Sequence, residues 1–242
     1  MPMEGIQGEA VDPSPGSNRL IDCLPAKQRT AFLNQCERIE LEGGTVLCEA
    51  GEPLEHAYFP LTGNISLVNA IAGHQAFDTG SIGNMGMLGV TLILGANRAP
   101  QRGVVQTSCL ALRITAPRLQ ALLQWEPILF RILQQYLFVV LADLSQTTGC
   151  IRFHDAGKRL ARTLLLAQDH ARTSHLNLTH QLLADMLGVQ RGAVTIAAST
   201  LQEEGIIRYS RGKISILDRS RLEAKSCECY ATTVKNHASI LP

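Results

Sequence analysis

The chain lacks the features that mark membrane, secreted or strongly basic proteins. It has no amino-terminal segment of basic and then apolar residues, and polar residues interrupt its richest apolar stretch, 127–144. A membrane-spanning helix needs roughly 18 or more consecutive apolar residues. The formal net charge is only +1 over 242 residues. These absences predict a soluble, cytoplasmic protein without a membrane partner.

The cysteine pattern also argues against a disulfide framework. The seven cysteines are odd in number and scattered, as in proteins of a reducing compartment. Cys23, Cys36 and Cys48 are too widely spaced for the clustered ligation of an iron–sulfur centre. Cys227 and Cys229 form a Cys-x-Cys pair near the end of the chain, with no second pair beside it. We therefore expect no metal site, and the role of this pair stays open.

Catalytic signatures are absent too. The sequence contains no nucleophile elbow, no phosphate-binding P-loop and no paired carboxylates at catalytic spacing. We find no cysteine or carboxylate neighbours at metal-ligand spacing for His154, His170, His175 and His180. The chain is therefore not expected to be an enzyme.

Charge is distributed unevenly along the chain. Residues 155–225 contain eleven Lys and Arg against seven Asp and Glu, a net charge of +4. Residues 1–154 contain ten against thirteen, a net charge of −3. A basic carboxy-terminal module on an acidic body favours a polyanionic partner for that module.

The residue pattern divides the chain into five segments. They are a disordered arm (1–18), a β-rich domain (19–125), a long helix with a hinge (126–154), a compact module (155–225) and a tail (226–242). Between 39 and 114, glycines separate short alternating apolar runs, which is typical of a β-sandwich or β-roll. Residues 24–36 and 116–125 have the pattern of short helices.

The long helix, expected from Pro127 to about Cys150, has apolar residues on more than one face. One stripe recurs every three or four residues and comprises Leu129, Leu133, Tyr136, Val140 and Leu144. Such a stripe fits a helix buried against its own domain, or a coiled coil that joins two copies of the chain. Because both faces are apolar, we favour the coiled coil.

Two short helices separated by a tight turn follow in the compact module. Thr179 is a plausible N-cap for residues 180–187, and Gly188 suits a turn that requires positive φ. A second helix is expected over 191–204. Ala184, Gly188 and Val194 supply a small residue, a turn glycine and an apolar plug, at the spacing at which the helices of a helix-turn-helix cross.

The outward face of the second helix has the character of a DNA-reading surface. It combines short side chains with polar ones, as entry into the major groove requires. The expected base-reading residues are Gln190, Arg191, Thr195 and Ser199. Residues 205–217 then predict a two-stranded hairpin, or wing, whose cations Arg208, Arg211 and Lys213 would contact phosphates. A helical hairpin that packs on a protein is the alternative.

This arrangement resembles the Crp/Fnr superfamily of bacterial transcription regulators. The resemblance covers about residues 19–225 and is strongest over 155–222, and a subgroup of the family ends, as here, in CECY (227–230). It implies an α+β chain with an N-terminal β-roll sensor of the cyclic-nucleotide-binding type, a long dimerisation helix and a C-terminal winged helix-turn-helix. It further implies a homodimer on palindromic double-stranded DNA, with RNA polymerase as a possible further partner.

The resemblance assigns roles to several residues of the DNA-binding module. Arg191 matches an arginine that reads guanine in the family, and Thr179, His180 and Gln181 match positions that contact phosphates. Gly192 and Ile196 stand where many members have a glutamate and a second arginine reader. This departure predicts a different operator, on which DNA shape and phosphate contacts contribute more of the affinity.

The sensor pocket departs further from the family pattern. The cyclic-nucleotide cassette corresponds to residues 83–103, where the tentative pocket residues are Gly83, Asn84, Gly86, Arg98 and Ala99. Asn84 replaces the carboxylate that takes the ribose hydroxyl, and the proline after Ala99 removes a backbone donor. We therefore expect no cofactor, with cyclic AMP clamped by Arg98 as the alternative.

The function expected from the sequence is that of a sequence-specific DNA-binding transcription regulator. The alternative from another class is a regulatory module that binds a small molecule and acts on a protein partner. DNA binding through several phosphates would weaken steeply with added salt, whereas contact with a protein partner would not.

Overall fold

A computed structural model describes residues 16–70, 72, 76–171 and 173–240. Most of the predicted arm, 1–18, therefore lies outside the described residues. Its last residue, Asn18, is not disordered but buried, and it caps the first helix, α1 (Arg19–Asp22). Its amide nitrogen donates to the carbonyl oxygens of Pro60 and Gly86, each at 2.9 Å. The end of the arm thus anchors α1 to the domain that follows.

Seven strands of the described amino-terminal half form two antiparallel sheets. They are β1 (Glu37–Leu41), β2 (Val46–Cys48), β3 (His56–Pro60), β4 (Asn64–Asn69), β5 (Phe77–Ile82), β6 (Arg102–Thr107) and β7 (Cys109–Thr115). One sheet has the order β1-β7-β3 and the other the order β2-β6-β4-β5. The predicted β-roll over about 39–114 is confirmed.

Alternating apolar residues explain how these strands bury one face. In β7, Leu112 and Ile114 point into the core with Leu110 packed against it, and Phe59 of β3 packs there with 0% of its surface exposed. Gly63, between β3 and β4, has a φ of 61°. A Cβ at Gly63 would lie 2.6 Å from the Cβ of Cys109, so only glycine fits this turn.

Four further helical elements belong to this half of the molecule. They are α2 (Ala26–Leu33), a 3₁₀ helix (Val90–Leu94), α3 (Ala116–Trp125) and α4 (Pro127–Phe153). The helix predicted over 24–36 is shorter than expected, whereas the one predicted over 116–125 has the expected bounds. Pro127 begins α4, where its missing N–H costs no hydrogen bond.

The burial of α4 corrects the predicted dimer stripe. Leu129, Leu133 and Tyr136 are each less than 7% exposed and pack into the core of their own chain. Val140 packs partly against the same core, and Leu144 is 43% exposed. The stripe therefore follows the inward face for most of its length, because α3 and the β-roll cover the first half of the helix.

By length and composition alone, α4 is long and apolar enough to cross a membrane. The sequence had led us to expect no such stretch in the chain. The core helix of a soluble protein passes the same test. Here the packing of Leu129, Ile132 and Leu133 against the chain's own β-roll accounts for the apolar character of one face. The expectation rested on counting polar interruptions, which are too few in this helix.

The carboxy-terminal domain contains helices around a small sheet. Its elements are α5 (Ala156–Ala171), β8 (His175–Leu176), α6 (His180–Leu187), α7 (Arg191–Glu203), β9 (Ile207–Ser210), β10 (Lys213–Ile216) and α8 (Arg219–Lys225). The three strands are ordered β8-β10-β9, all antiparallel. Leu164, Leu183, Val194 and Ile214 meet in its core with 0% of their surfaces exposed. The predicted helix-turn-helix and wing are both present.

The predicted tail is a structured part of the molecule. After α8 the chain forms α9 (Cys229–Ile240), which lies along α4. His237 contacts Asp143 with an Nε2–Oδ2 distance of 2.7 Å, and Gln146 donates to the sulfur of Cys229 at 3.0 Å. Cys227 and Cys229, at the start of this tail, are both buried against α4.

Candidate nucleic-acid interface

The turn between α6 and α7 has the local geometry that its sequence requires. The hydroxyl of Thr179 accepts from the backbone N–H of Leu182 at 3.1 Å, so Thr179 is the N-cap of α6. Gly188 ends α6 with a φ of 60°. Ala184 and Val194 are buried between the helices. The predicted roles of these residues in the turn are confirmed.

The exposed face of α7 presents polar readers at its start and short residues beside them. Gln190, Arg191 and Ser199 are exposed, and a Cβ on Gly192 would meet no atom within 4 Å. Ile196 lies on the same face with 72% of its surface exposed. A helix with this profile can approach another molecule closely along its axis.

Thr195 is less available than its sequence position implies. Its hydroxyl donates to the carbonyl of Arg191 at 3.0 Å and also lies 3.0 Å from Nδ1 of His180. Because that hydroxyl hydrogen is already used, Nδ1 of His180 must be the donor in the second contact. The hydroxyl of Thr195 and Nδ1 of His180 are thus hydrogen-bonded to each other.

His180 makes contacts with α7 and the wing inside its own domain. Its ring stacks on Tyr209 of β9 at 3.9 Å, and Nε2 is buried without a hydrogen-bond partner in the described part of the chain. Burial, and then the neighbouring Arg191, lower the pKa of His180 below its ordinary value. The ring of His180 joins α6, α7 and the wing, and its contact with a phosphate stays a prediction.

The wing turn lies directly beside the start of α6. Arg211 and Gly212 have φ values of 49° and 79°, the pair of positive values typical of a tight hairpin turn. A Cβ on Gly212 would lie 3.2 Å from Cγ2 of Thr179. Gln181, also predicted to contact phosphate, is exposed and donates to Asp185 at 2.9 Å. The fold therefore brings three predicted contact regions onto one surface.

The cations on this surface differ from those elsewhere in the domain in whether they form ion pairs. On the far side, Arg219 pairs with Asp169 at 2.8 Å, and Lys225 pairs with Glu204 at 2.7 Å. By contrast, no ion pair within the described residues involves the cations on the surface formed by α7 and the wing, which are Arg191, Arg208, Arg211 and Lys213. This surface carries uncompensated positive charge.

The predicted sensor pocket divides into two packed regions, the first near α1 and α4. Gly83 packs against the side chain of His170, since an added Cβ would lie 3.1 Å from it. A Cβ on Gly86 would collide with the hydroxyl of Tyr136, and the carbonyl of Asn84 accepts from the N–H of Arg19 at 2.8 Å. These three positions fill space inside the chain.

The second region holds the predicted phosphate clamp. Arg98 is exposed, and its guanidinium donates to the carbonyl of Gly51 at 2.6 Å. Ala99 is buried, and its N–H donates to the carbonyl of Glu52 at 3.0 Å. One donor of Arg98 and the N–H of Ala99 are thus bonded to the chain's own backbone.

One group of residues was missed by sequence reasoning. Cys150, His154, Cys227 and Cys229 place their ligand atoms within 4.8 Å of one another. The signal was the spacing of Cys150 and His154, which are four residues apart and so share one helix face. The second pair lies 77 residues further along, counted from Cys150 to Cys227, and the expectation that no cysteine neighbours His154 is wrong.

Comparisons with known proteins agree with this architecture. A model of the cyclic nucleotide-binding domain matches residues 38–125, and a model of the Crp-like helix-turn-helix domain matches residues 158–225. No curated protein matches the chain.

Several solved structures share the fold. FixK2 from Bradyrhizobium japonicum superposes with a TM-score of 0.70 at 16% identity, covering 79% of this chain and 98% of that one. The c-di-GMP responsive global regulator CLP from Xanthomonas campestris gives 0.65 at 20% identity, with coverages of 79% and 99%. A crp/fnr-family transcriptional regulator from Eubacterium rectale gives 0.65 at 20% identity, with coverages of 85% and 96%.

A β-roll joined by a long helix to a winged helix with a free cationic face defines a two-domain DNA-binding regulator. The two domain matches, in this order along one chain, identify the family. The chain is a Crp/Fnr-type transcription regulator, with a cyclic nucleotide-binding domain and a Crp-like helix-turn-helix domain. Proteins of this family are regulators and not enzymes, and the comparisons give no support to the alternative of a module acting on a protein partner.

Proposed function

We propose that the winged helix binds double-stranded DNA with α7 in the major groove and the wing on the phosphate backbone. The observation that carries this proposal is a set of four exposed cations on one surface that form no ion pair with any residue the structure describes: Arg191, Arg208, Arg211 and Lys213. Phosphates attract such cations at little cost, since no internal ion pair has to break.

Within this complex, the start of α7 would read the bases. Arg191 can donate two hydrogen bonds to a guanine edge, and Gln190 can do so to an adenine. Ser199 would supply a further polar contact, and Ile196 an apolar contact to a thymine methyl group. Thr195 contributes less, because its hydroxyl is bonded to His180 and to the backbone.

The protein would act as a homodimer on a palindromic operator, through the outward face of α4. Phe138, Leu141 and Leu144 are 56%, 59% and 43% exposed and follow one another at intervals of three residues along α4. Ile151 extends this exposed face toward the hinge at 57% exposure. Two such helices side by side would bury these residues and set the two α7 helices about one DNA turn apart.

The effector of the β-roll is not cyclic AMP in this proposal. A cyclic nucleotide-binding domain is present, and the Xanthomonas campestris relative is described as c-di-GMP responsive. In this chain, however, Arg98 is bonded to Gly51, and Asn84 offers no carboxylate to a ribose hydroxyl. We also propose membership of the subgroup with the CECY segment, a bacterial cytoplasmic location and RNA polymerase as a further partner.

The test is fluorescence anisotropy on a labelled DNA fragment from upstream of the protein's own gene, with random DNA as competitor. We expect specific binding whose logarithmic salt dependence has a slope of about −5, for six wing contacts per dimer at about 0.9 each. Sedimentation equilibrium should give a dimer in the same buffer. A flat salt dependence, or equal competition by random DNA, would overturn the proposal.

A further inference from the structure

Four potential metal ligands converge where the long helix meets the carboxy-terminal end of the chain. Cys150 lies in the last turn of α4, and His154 is its C-cap. Cys227 precedes α9 and Cys229 begins it. The three cysteines are 4% exposed or less. Helix geometry places Cys150 and His154 on one face, and a Cys-x-Cys turn presents the other two ligands to it.

Two of the ligand–ligand distances match the edges of a tetrahedron around one small ion, and all four ligand atoms lie within 4.8 Å of one another. Zinc binds sulfur at about 2.3 Å and nitrogen at about 2.0–2.1 Å, so tetrahedral ligands are about 3.8 Å apart for two sulfurs and about 3.6 Å for sulfur and nitrogen. The sulfurs of Cys150 and Cys227 are 3.6 Å apart. The sulfur of Cys229 lies 3.5 Å from Nδ1 of His154.

The groups behind the ligands are also those that a metal centre requires. Nδ1 of His154 faces the cysteines, while its Nε2 contacts the carboxylate of Glu228 at 3.2 Å. A carboxylate on the second nitrogen fixes the orientation of a metal-bound histidine and makes it a better ligand. Gln146 donates to the sulfur of Cys229 at 3.0 Å, as amides do to a thiolate.

The local charge favours a cation with three thiolates. A positive ion takes the place of the thiol protons when cysteines bind a metal. Three thiolates around a doubly charged ion carry a net charge of −1. Arg162 is buried beside this cluster and interacts favourably with a negative charge on Cys150. The cluster is thus neutralised once an ion binds.

We propose that Cys150, His154, Cys227 and Cys229 bind one divalent ion of the zinc class in a closed, four-coordinate site. On binding, the three thiols lose their protons to solvent and no electron is transferred. The ion links the end of α4 to the start of α9. Since only Asp155 separates His154 from α5, the site stabilises the hinge that sets the position of the DNA-binding domain relative to the β-roll.

Two other uses of the cluster fit less well. A disulfide has a sulfur–sulfur distance of about 2.05 Å, whereas the cysteines here are free and the sulfurs of Cys150 and Cys227 lie 3.6 Å apart. An iron–sulfur cluster spreads its ligands around several iron atoms, while here all four ligand atoms lie within 4.8 Å. A single ion fits this spacing.

The first experiment measures metal in the full-length protein, purified with reductant and without chelator. Elemental analysis should find about one zinc per chain. Cys227→Ser should reduce this content to less than about a tenth. The matched control is Cys109→Ala, which removes an equally buried cysteine from the β-roll and should leave the zinc content unchanged. Equal zinc in wild type and Cys227→Ser would show binding elsewhere and overturn the proposal.

A second measurement keeps the test informative if Cys227→Ser fails to fold. Zinc is removed from the wild-type protein and cobalt is titrated in, since tetrahedral cobalt with thiolate ligands has intense visible absorption. Glu228→Gln leaves all four ligands in place and should weaken metal affinity roughly tenfold to a hundredfold. No tetrahedral cobalt spectrum, or a disulfide among the three cysteines in the reduced preparation, would overturn the proposal.

Discussion

Three arginines of the β-roll, Arg98, Arg102 and Arg113, differ from the cations of the DNA-binding surface in what surrounds them. In the β-roll, Arg98 donates to a backbone carbonyl, Arg102 pairs with Glu49 and Arg113 pairs with Glu37. On α7 and the wing, no ion pair within the described ranges engages the four exposed cations. These cations are of similar types in the two regions, but those of the β-roll are bonded within the chain and those of α7 and the wing form no ion pair among the described residues.

This difference shows which cations the fold already uses. An exposed ion pair contributes little to stability, but it lowers the positive field that a polyanion would meet. In the β-roll the pairs join neighbouring strands and loops, so the positive charge of these arginines is neutralised within the domain. On the wing the charge remains available, which is what binding to phosphates requires.

The two faces of α4 differ in a similar way, since the inner face is packed against the chain and the outer face is exposed. A charge placed on the outer face should have the largest effect on dimerisation and on DNA binding. Leu141→Glu puts two like charges at the proposed dimer contact, so the protein should become monomeric. Loss of the second half-site should weaken operator binding roughly a hundredfold or more. Sedimentation equilibrium and anisotropy measure the two effects.

The matched control for this change is Leu94→Glu. Leu94 is similarly exposed, at 65% compared with 59% for Leu141, but it lies on the 3₁₀ helix and not on α4. This variant should stay dimeric with unchanged affinity. If Leu141→Glu remains a dimer, the copies meet through another surface.

Removing the wing cations tests the contrast between the two sets of cations directly. The triple change of Arg208, Arg211 and Lys213 to alanine should weaken binding to every DNA sequence by roughly two orders of magnitude at low salt. The slope of affinity with salt should become about 5 smaller in magnitude for a dimer. Arg98→Ala with Arg102→Ala, the β-roll counterpart, should change neither value, and an equal effect of both variants would remove the distinction.

A single change on α7 separates base reading from charge. Arg191→Ala should weaken binding to the operator by about 1–3 kcal/mol, because two hydrogen bonds to a base are lost. Binding to random DNA should change far less. Competition anisotropy with operator and random fragments measures both. Equal losses on the two would mean that Arg191 contacts only phosphate.

Cyclic AMP should produce the smallest effect of all. With Arg98 bonded to Gly51 and no carboxylate at Asn84, the nucleotide should change operator affinity by less than about twofold. Arg98→Ala should cost about 1 kcal/mol of stability or less, the value of one exposed hydrogen bond. If cyclic AMP strengthens DNA binding and Arg98→Ala abolishes that response, Arg98 is a phosphate clamp after all.

The sequence predicted best where structure depends on neighbouring residues. Thr179 caps α6, Gly188 takes a positive φ, and Arg211 with Gly212 forms the wing turn, each for reasons contained within a few positions. The bounds of α3 follow from the same kind of signal. Apolar periodicity also identified the β-roll, although it left the pairing of its strands open.

Periodicity could not predict what covers the apolar face of α4 or what the residues of α6 contact. A stripe of apolar residues shows that a helix face is covered, but not whether its own chain or a second copy covers it. Leu129, Leu133 and Tyr136 proved to face their own chain. The stacking of the His180 ring on Tyr209 was likewise not predicted, since it depends on how the wing returns to α6.

By itself, the sequence determined the order of the domains, the helix-turn-helix and the wing, because short-range caps, turns and periodicity encode them. Tertiary structure alone decided which cations stay unpaired, which face of α4 is open, and that Cys150 meets Cys227 across 77 residues. These outcomes depend on contacts between distant segments. No local pattern contains such contacts, since they arise only when the packed elements bring those segments together.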